Sequence, residues 1–490
     1  MSKKHTLRLM LIAAAVVAAF AVVTVAVAAP RAAATTKSLS TVYAIQNFSQ
    51  SLTATVHVDY KLDQVDGLGA VWTAALANTD FTLGPGQATN IAQYLDTTLT
   101  AGRGSATISS DQPVGAIVNQ LNRVVGVRDT SGSYSAFDSG ATSVYAPLVF
   151  KNLVTSAGTI NSVLTIMNVG SSSTDFNIVY IDGLTFQPVF TKTVTGLGAG
   201  VSNYADQSNE TSLPDGYFGS AVVNATSTGG TLAVVGNQFV GTDALLTYSG
   251  FKSTDGFTAW SVPLYLCRLT NGFSSPIIIQ NVSGSSIAVG GISVDFTPDP
   301  SLGDPSFNIS NGTAIANNAS FVVNLRTDTT CPEFTFGSAT VSSSSNVVVL
   351  VNQLQVGAAA SLSYNGIRSD STNTTALSPV AFSRLSNGFS TAVTVQNLSG
   401  TAGTVTFTYT PNAACTGCIS YTRDVSVAAN GSVIQNHRLA EGLTSHPLPA
   451  GWFGSATITA DVPIAGVVNQ LDLDDPLADG TLSFNTFSQP

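Results

Sequence analysis

The string Gly-Ser-Ala occurs at Gly104, Gly219, Gly337 and Gly454, at intervals of 115 to 118 residues. Each occurrence opens a strand-like run. An Asn-Gln pair follows at Asn119-Gln120, Asn237-Gln238, Asn352-Gln353 and Asn469-Gln470, and a Ser/Thr-aromatic pair closes each copy at Ser133-Tyr134, Thr247-Tyr248, Ser363-Tyr364 and Ser483-Phe484. A period of this length is a whole domain, well above the 20 to 50 residues of solenoid or propeller units. The chain therefore reads as four copies of one module.

The module is all-β. Each copy has an apolar strand ending in Asn (Asn47, Asn168, Asn281, Asn397). A period-two run follows: Val56-x-Val58-x-Tyr60, Phe176-x-Ile178-x-Tyr180, Ile292-x-Val294-x-Phe296 and Val405-x-Phe407-x-Tyr409. Such alternation puts apolar side chains on one face and polar ones, His57 and Asp59 among them, on the other, as in a half-buried antiparallel strand. The Asn-Gln run is apolar on both parities before the pair, which predicts a central strand. Copies 2 to 4 begin with Pro147-Leu148, Pro263-Leu264 and Pro379-Val380, as suits a first or edge strand; copy 1 lacks this segment or has it replaced by the stretch after the leader. About seven strands in roughly 100 residues predict an Ig-like sandwich. The expected divisions are a leader over 1–34 and sandwiches over 38–138, 141–251, 258–368 and 376–490. The short polar joints between them predict a semi-rigid rod.

The leader has Lys3, Lys4 and Arg8 before an uncharged run from Leu9 to Ala29, and Ala32-Ala33-Ala34 before Thr35 fits small-residue cleavage. The run is long for a signal peptide and long enough to span a bilayer, so a retained N-terminal anchor is the alternative to a cleaved signal. Either way the remainder is expected outside the cell, secreted or on the surface. Charged residues make up 9% of the chain against an ordinary value of about 25%, and the formal net charge is −10. That balance argues against a nucleic-acid partner and against docking on anionic lipid.

An exported chain permits disulfides. Cys267 and Cys331 both fall in copy 3, and Cys415 and Cys418 form Cys-Thr-Gly-Cys in copy 4, so pairing within copies is the economical expectation. A Cys-x-x-Cys also suits redox chemistry or, with His437 and His446, a zinc set. Asp472, Asp474, Asp475 and Asp479 are the densest acidic group, a calcium candidate set against a solvated loop; Asp299, Asp304 and the Asp63/Asp66 pair are sparser. No cofactor is otherwise implied. Trp72, Trp260 and Trp452 suit a core or interface role, or stacking on sugar. The Asn-Gln pair reads either as a repeated ligand groove or as side chains satisfying backbone groups at a strand end or a seam between domains. No nucleophile elbow accompanies the few histidines, and no enzyme activity is expected.

The residues Thr165-Ile166-Met167-Asn168-Val169-Gly170, running on to Tyr180-Ile181-Asp182-Gly183, resemble the Asn-x-Gly…aromatic-x-Asp-Gly pattern of bacterial cell-adhesion-related (CARDB-type) Ig-like domains. Copies 1, 3 and 4 keep the Asn and lose the later Asp-Gly. The resemblance implies an extracellular adhesive or spacer role and carries no functional residues. The expected function is thus that of an exported, non-enzymatic structural or adhesive protein of the cell surface, its partner a surface protein or glycan. A carbohydrate-binding array, or a self-assembling subunit of a surface layer or filament, is the alternative.

Overall fold

The computed structural model describes residues 40–63, 79–96, 99, 102–122, 130–155, 158–241, 244–355, 360–386, 388–439, 448–472 and 481–488. The fold is all-β, made of antiparallel sandwiches, with no α-helix among these residues. No helix among them is long and apolar enough to cross a membrane. The leader, Trp72, Asp66, His446, Asp474, Asp475 and Asp479 lie outside the described residues.

Copy 2 shows the plan. One sheet has the order Pro188–Leu197, Thr174–Asp182, Tyr217–Ala225, Ser143–Lys151, Phe251–Lys252, and the other Ser202–Asp206, Gly158–Asn168, Leu232–Val240, Ala244–Ser249. The alternating strand Thr174–Asp182 turns Phe176, Ile178 and Tyr180 inward, all fully buried, as period two requires. The Asn-Gln strand Leu232–Val240 lies between two neighbours and is covered on both faces. In copy 3 the Gly-Ser-Ala and Asn-Gln strands fuse into one strand, Thr335–Gln355, that runs through both sheets. The opening strands Ser143–Lys151, Phe257–Cys267 and Thr375–Ser383 each carry a register shift at their proline, where the ladder forgoes an N–H donor.

Copy 1 has the sheets Ala88–Ala92, Ser40–Asn47, Val114–Asn122, Thr130–Ser135 and Asp80–Leu83, Ala54–Leu62, Gly104–Ser110. Its described residues include no opening strand.

The copies do not form a rod. The closing strands Thr130–Ser135, Ala244–Ser249, Ser361–Asn365 and Thr481–Asn485 come together, each beside the next, and the last beside the first. Those of copies 1 and 3 also approach each other across the middle. The result is a closed ring, and the core of copy 4 includes Ala44 and Ile117 of copy 1. The expectation of a rod rested on joint length alone; short joints restrict the angle between neighbours, and here that angle brings copy 4 back to copy 1.

Candidate functional site at the ring axis

The repeated motifs converge on the seams between copies. The glycine of Gly-Ser-Ala is required by close packing. A Cβ at Gly104, Gly219, Gly337 or Gly454 would collide with the carbonyl oxygen of Lys61, Ile181, Thr297 or Thr410 on the facing strand. The serine after it stitches the ring. Ser105 Oγ donates to Gly200 O at 2.6 Å, Ser220 Oγ to Asn318 O at 2.6 Å, Ser338 Oγ to Asn430 O at 2.7 Å and Ser455 Oγ to Gly86 O at 3.3 Å. Each copy thus bonds to a turn of the next, and copy 4 bonds to copy 1. All four acceptors sit at positive φ, from 54° to 71°, a region open to Gly and to Asn at modest cost.

The Asn-Gln pairs form a belt nearer the axis. Asn352 Nδ2 donates to Gln238 Oε1 at 3.1 Å, Asn469 Nδ2 to Gln353 Oε1 at 3.1 Å and Asn119 Nδ2 to Gln470 Oε1 at 3.3 Å. In copies 2, 3 and 4 the asparagine is steadied by its own copy's closing strand, whose Thr247, Ser363 and Ser483 hydroxyls donate to Asn237, Asn352 and Asn469 Oδ1 at 2.7 to 2.8 Å. Gln238 and Gln353 are aimed by a second bond, to the carbonyls of Leu148 and Leu264 just after the opening prolines. The Tyr248 and Tyr364 hydroxyls donate to the same two oxygens. Of the two readings of the pair, the seam between copies is the one the geometry supports.

At one end of the axis the closing strands leave a cavity of about 180 Å³. Its lining comes from all four copies and includes Ser135, Ser249, Asn365 and Asn485. These too link copies: Ser249 Oγ donates to Ser135 O, Asn365 Nδ2 to Ser249 O and Asn485 Nδ2 to Asn365 O. Asp138, Lys252 and Asp255 stand at the rim. Burial pushes the Asp255 carboxyl up. At Asp138 burial acts in the same direction, but Lys252, at 2.8 Å, outweighs it and holds the carboxyl below the usual range. Burial pushes Tyr134 up to about 12. Neutral hydroxyls and amides bind and orient; none of these groups pairs a base with a nucleophile.

The other candidates fall elsewhere. Cys267–Cys331 and Cys415–Cys418 are both disulfide-bonded. His437 is fully buried in copy 4, with Nδ1 bonded to Thr391 Oγ1 at 2.8 Å and Nε2 to Tyr409 Oη at 2.9 Å, so both ring nitrogens are engaged. His57 lies on the polar face of its strand between Asp59 and Asp80, which raise its pKa. Trp452 is in the core of copy 4, and Trp260 packs on Phe251 where copy 2 meets copy 3. Asp63 is buried against Arg103, Asp304 accepts from Thr335, and Asp299 caps a turn at Ser301. Asp472 ends the Asn-Gln strand of copy 4. Among the described residues no three His, Cys, Asp or Glu gather as a metal set.

The asparagines that end the first strands are internal pins. Asn168 Nδ2 donates to Ser172 O and Leu197 O, and its Oδ1 accepts from Gly170 N; Asn47, Asn281 and Asn397 repeat this. Asp182 caps the turn at Leu184 and Thr185. The pattern that carried the family resemblance therefore shapes turns. Sequence reasoning missed the serine stitch, whose one signal was the recurrence of Gly or Asn at Gly86, Gly200, Asn318 and Asn430, just before the strands Ala88–Ala92, Ser202–Asp206, Ser320–Asn324 and Ser432–Asn436. No protein-family model matches this chain, and no curated protein matches it.

Proposed function

We propose that this is an exported, non-enzymatic structural and adhesive protein of the cell surface, working as a closed four-part ring. The observation that carries the reading is that all four Gly-Ser-Ala serines, and the asparagines and glutamines of three Asn-to-Gln links, are occupied in joining one copy to another. What remains outward is sheet surface rich in Ser, Thr and Asn, such as Thr406 and Thr408 of Gly403–Pro411 and the exposed positions of Pro188–Leu197. A ring holds four such faces at fixed separations. Four weak contacts of one kind, so arranged, raise avidity by roughly 10² to 10⁴ over a single contact.

The expected partner is a cell-surface protein or glycan. The test is binding of the mature ring to a glycan array and to isolated cell walls, compared with a chain cut to copies 2 and 3. Retention of the ring with a large loss in the two-copy chain supports multivalent adhesion. Equal binding by both, or turnover of a substrate, removes it. Electron microscopy of the same sample separates a soluble ring from the layer or filament alternative.

A further inference from the structure

The cavity at the end of the axis has a polar wall in two layers. Ser133, Thr247, Ser363 and Ser483 form the deeper layer. Ser135, Ser249, Asn365 and Asn485 lie two residues further along their strands, on the same face and nearer the rim. In copies 2 to 4 the deeper hydroxyl is occupied by its own copy's asparagine. Copy 1 differs. Both ends of the Asn119 amide turn to Gln470, Nδ2 donating at 3.3 Å and Oδ1 accepting at 3.4 Å. Ser133 is 3% exposed and lines the cavity, and its Oγ has no hydrogen-bond partner among the described residues. In the outer layer the links use the Ser135 carbonyl and Asn365 Nδ2, which leaves the Ser135 hydroxyl and Asn365 Oδ1 without a hydrogen bond among the same residues.

We propose that this cavity binds one neutral sugar ring, free or at the end of a glycan, held by Ser133, Ser135 and Asn365 with Phe137 against its apolar face. Size sets the first limit. The volume of about 180 Å³ exceeds the roughly 10 to 15 Å³ that one water needs and falls below the roughly 300 Å³ at which sites for drug-sized ligands begin. One sugar ring fits, and a chain of sugars does not. Composition sets the second limit. Two hydroxyls that donate and accept, and one carboxamide oxygen that accepts, match the hydroxyls of a sugar. Phe137, half-buried, lines the same cavity and supplies the apolar surface on which the C–H face of a sugar packs. Charge sets the third limit. Lys252 Nζ is paired with Asp138 at 2.8 Å, and the Asp255 carboxyl, whose charge burial disfavours, accepts from Lys252 N at 2.7 Å. A charged ligand would leave water and find the rim charges already matched.

The site is single although the fold repeats four times, because Ser133 alone of the four deeper hydroxyls is released by its asparagine. For the source of its sugar the inference rests on the glycan partner of the proposed function. Its stoichiometry is different: the outward faces offer four contacts per chain, and the axis offers one.

The test is titration of the mature ring with neutral monosaccharides (hexoses, N-acetylhexosamines, 6-deoxyhexoses and pentoses) and with uronic acids, read by saturation-transfer NMR and by calorimetry. The expected result is transfer to at least one neutral sugar, with one sugar bound per chain, and none to the acids. Ser135→Leu fills the cavity and keeps the carbonyl that Ser249 uses, so it is expected to abolish the transfer. Ser133→Ala is expected to weaken binding by roughly three- to tenfold without lowering the melting temperature, because no hydrogen bond of the fold is lost. No transfer to any neutral sugar, a preference for uronic acids, or binding unchanged in both variants overturns the proposal. Binding of the methyl glycoside as well as the free sugar marks a glycan end as the source; binding of the free sugar alone marks a soluble one, and either supports the site. The same variants tell this proposal from the proposed function. Sugar bound at the axis by a ring that does not hold to glycans or cell walls removes the adhesive reading and keeps the site. Wall binding unchanged in Ser135→Leu, with no sugar bound by the unaltered ring, does the reverse.

Discussion

At the end of the opening strand copy 2 carries Lys151 and copy 3 carries Cys267. Both fasten that strand to the loop leading into the Gly-Ser-Ala strand. Lys151 is buried and donates through Nζ to Glu210 O at 2.7 Å and Leu213 O at 2.6 Å, with the Asp215 carboxylate at 3.3 Å. Cys267 is bonded to Cys331, which lies six residues before Gly337 as Leu213 lies six before Gly219. The two copies differ again in the core. Tyr180 of copy 2 takes a hydrogen bond from Gln207 at 3.0 Å, whereas copy 3 has Phe296 and Leu325 at these positions, an apolar pair. Copy 4 takes a middle course, with Ser383 Oγ donating to Leu448 O at 3.1 Å and His437 beside Tyr409. The fold requires a tie at one place and a matched pair at another, and any self-consistent chemistry serves.

The largest effect should come from cutting the covalent tie. The loop closed by Cys267–Cys331 spans 64 residues, which on the chain-entropy model stabilises by about 4 kcal/mol. Replacing both cysteines by alanine should lower the melting of copy 3 far more than replacing Cys415 and Cys418, only three apart, lowers that of copy 4; calorimetry with exchange mass spectrometry reads each copy. Lys151→Met should come next. It strands one buried and one partly buried carbonyl, at about 2 to 3 kcal/mol in urea unfolding. Lys151→Cys with Leu213→Cys should recover that loss by giving copy 2 the tie of copy 3; failure to recover would mean the ammonium does more than fasten. Leu325→Gln should cost about 2 kcal/mol by burying an amide beside Phe296, and adding Phe296→Tyr should return most of it.

Smaller effects test the seams and the surface. Ser220→Ala removes one stitch and should cost about 1 kcal/mol, similar to Ser105→Ala, because the bond is the same at both seams. The smallest effect is titration of His57. Its hydrogen bonds to Asp80 and Asp59 raise its pKa, so the stabilisation is full below the ordinary value near 6.5 and fades as pH rises through the raised value. NMR titration of the ring protons, with Asp80→Asn returning the midpoint toward the ordinary value, checks the sign.

Much of a single copy was legible. Period-two alternation located Thr174–Asp182 and its equivalents because sheet burial writes directly into residue type. The recurrence of Gly-Ser-Ala marked the start of a strand in each copy, and the glycine recurs because only a missing Cβ tolerates a carbonyl so close. The ring was not legible. Its bonds run from serine hydroxyls to main-chain carbonyls of Gly86, Gly200, Asn318 and Asn430, and a carbonyl has no residue type. His437 read as a possible zinc ligand because its partners Thr391 and Tyr409 lie 46 and 28 positions away. The correspondence of His437 with Gln207 and Leu325 emerges only after the strands are overlaid.

The serine stitch has a consequence for symmetry. Each seam joins two different faces, a Gly-Ser-Ala strand on one copy and a turn on the next, so it is a heterologous contact, and such contacts end only when the rotation per step closes a circle. Here four steps close it, within one polypeptide. Copy number is therefore a geometric constant of this molecule. Remove one copy and the remaining three retain a complementary pair of faces that cannot meet in the same chain. The expected products are intermolecular assemblies, open or closed, whose size is set by the rotation at a single hydroxyl-to-carbonyl seam.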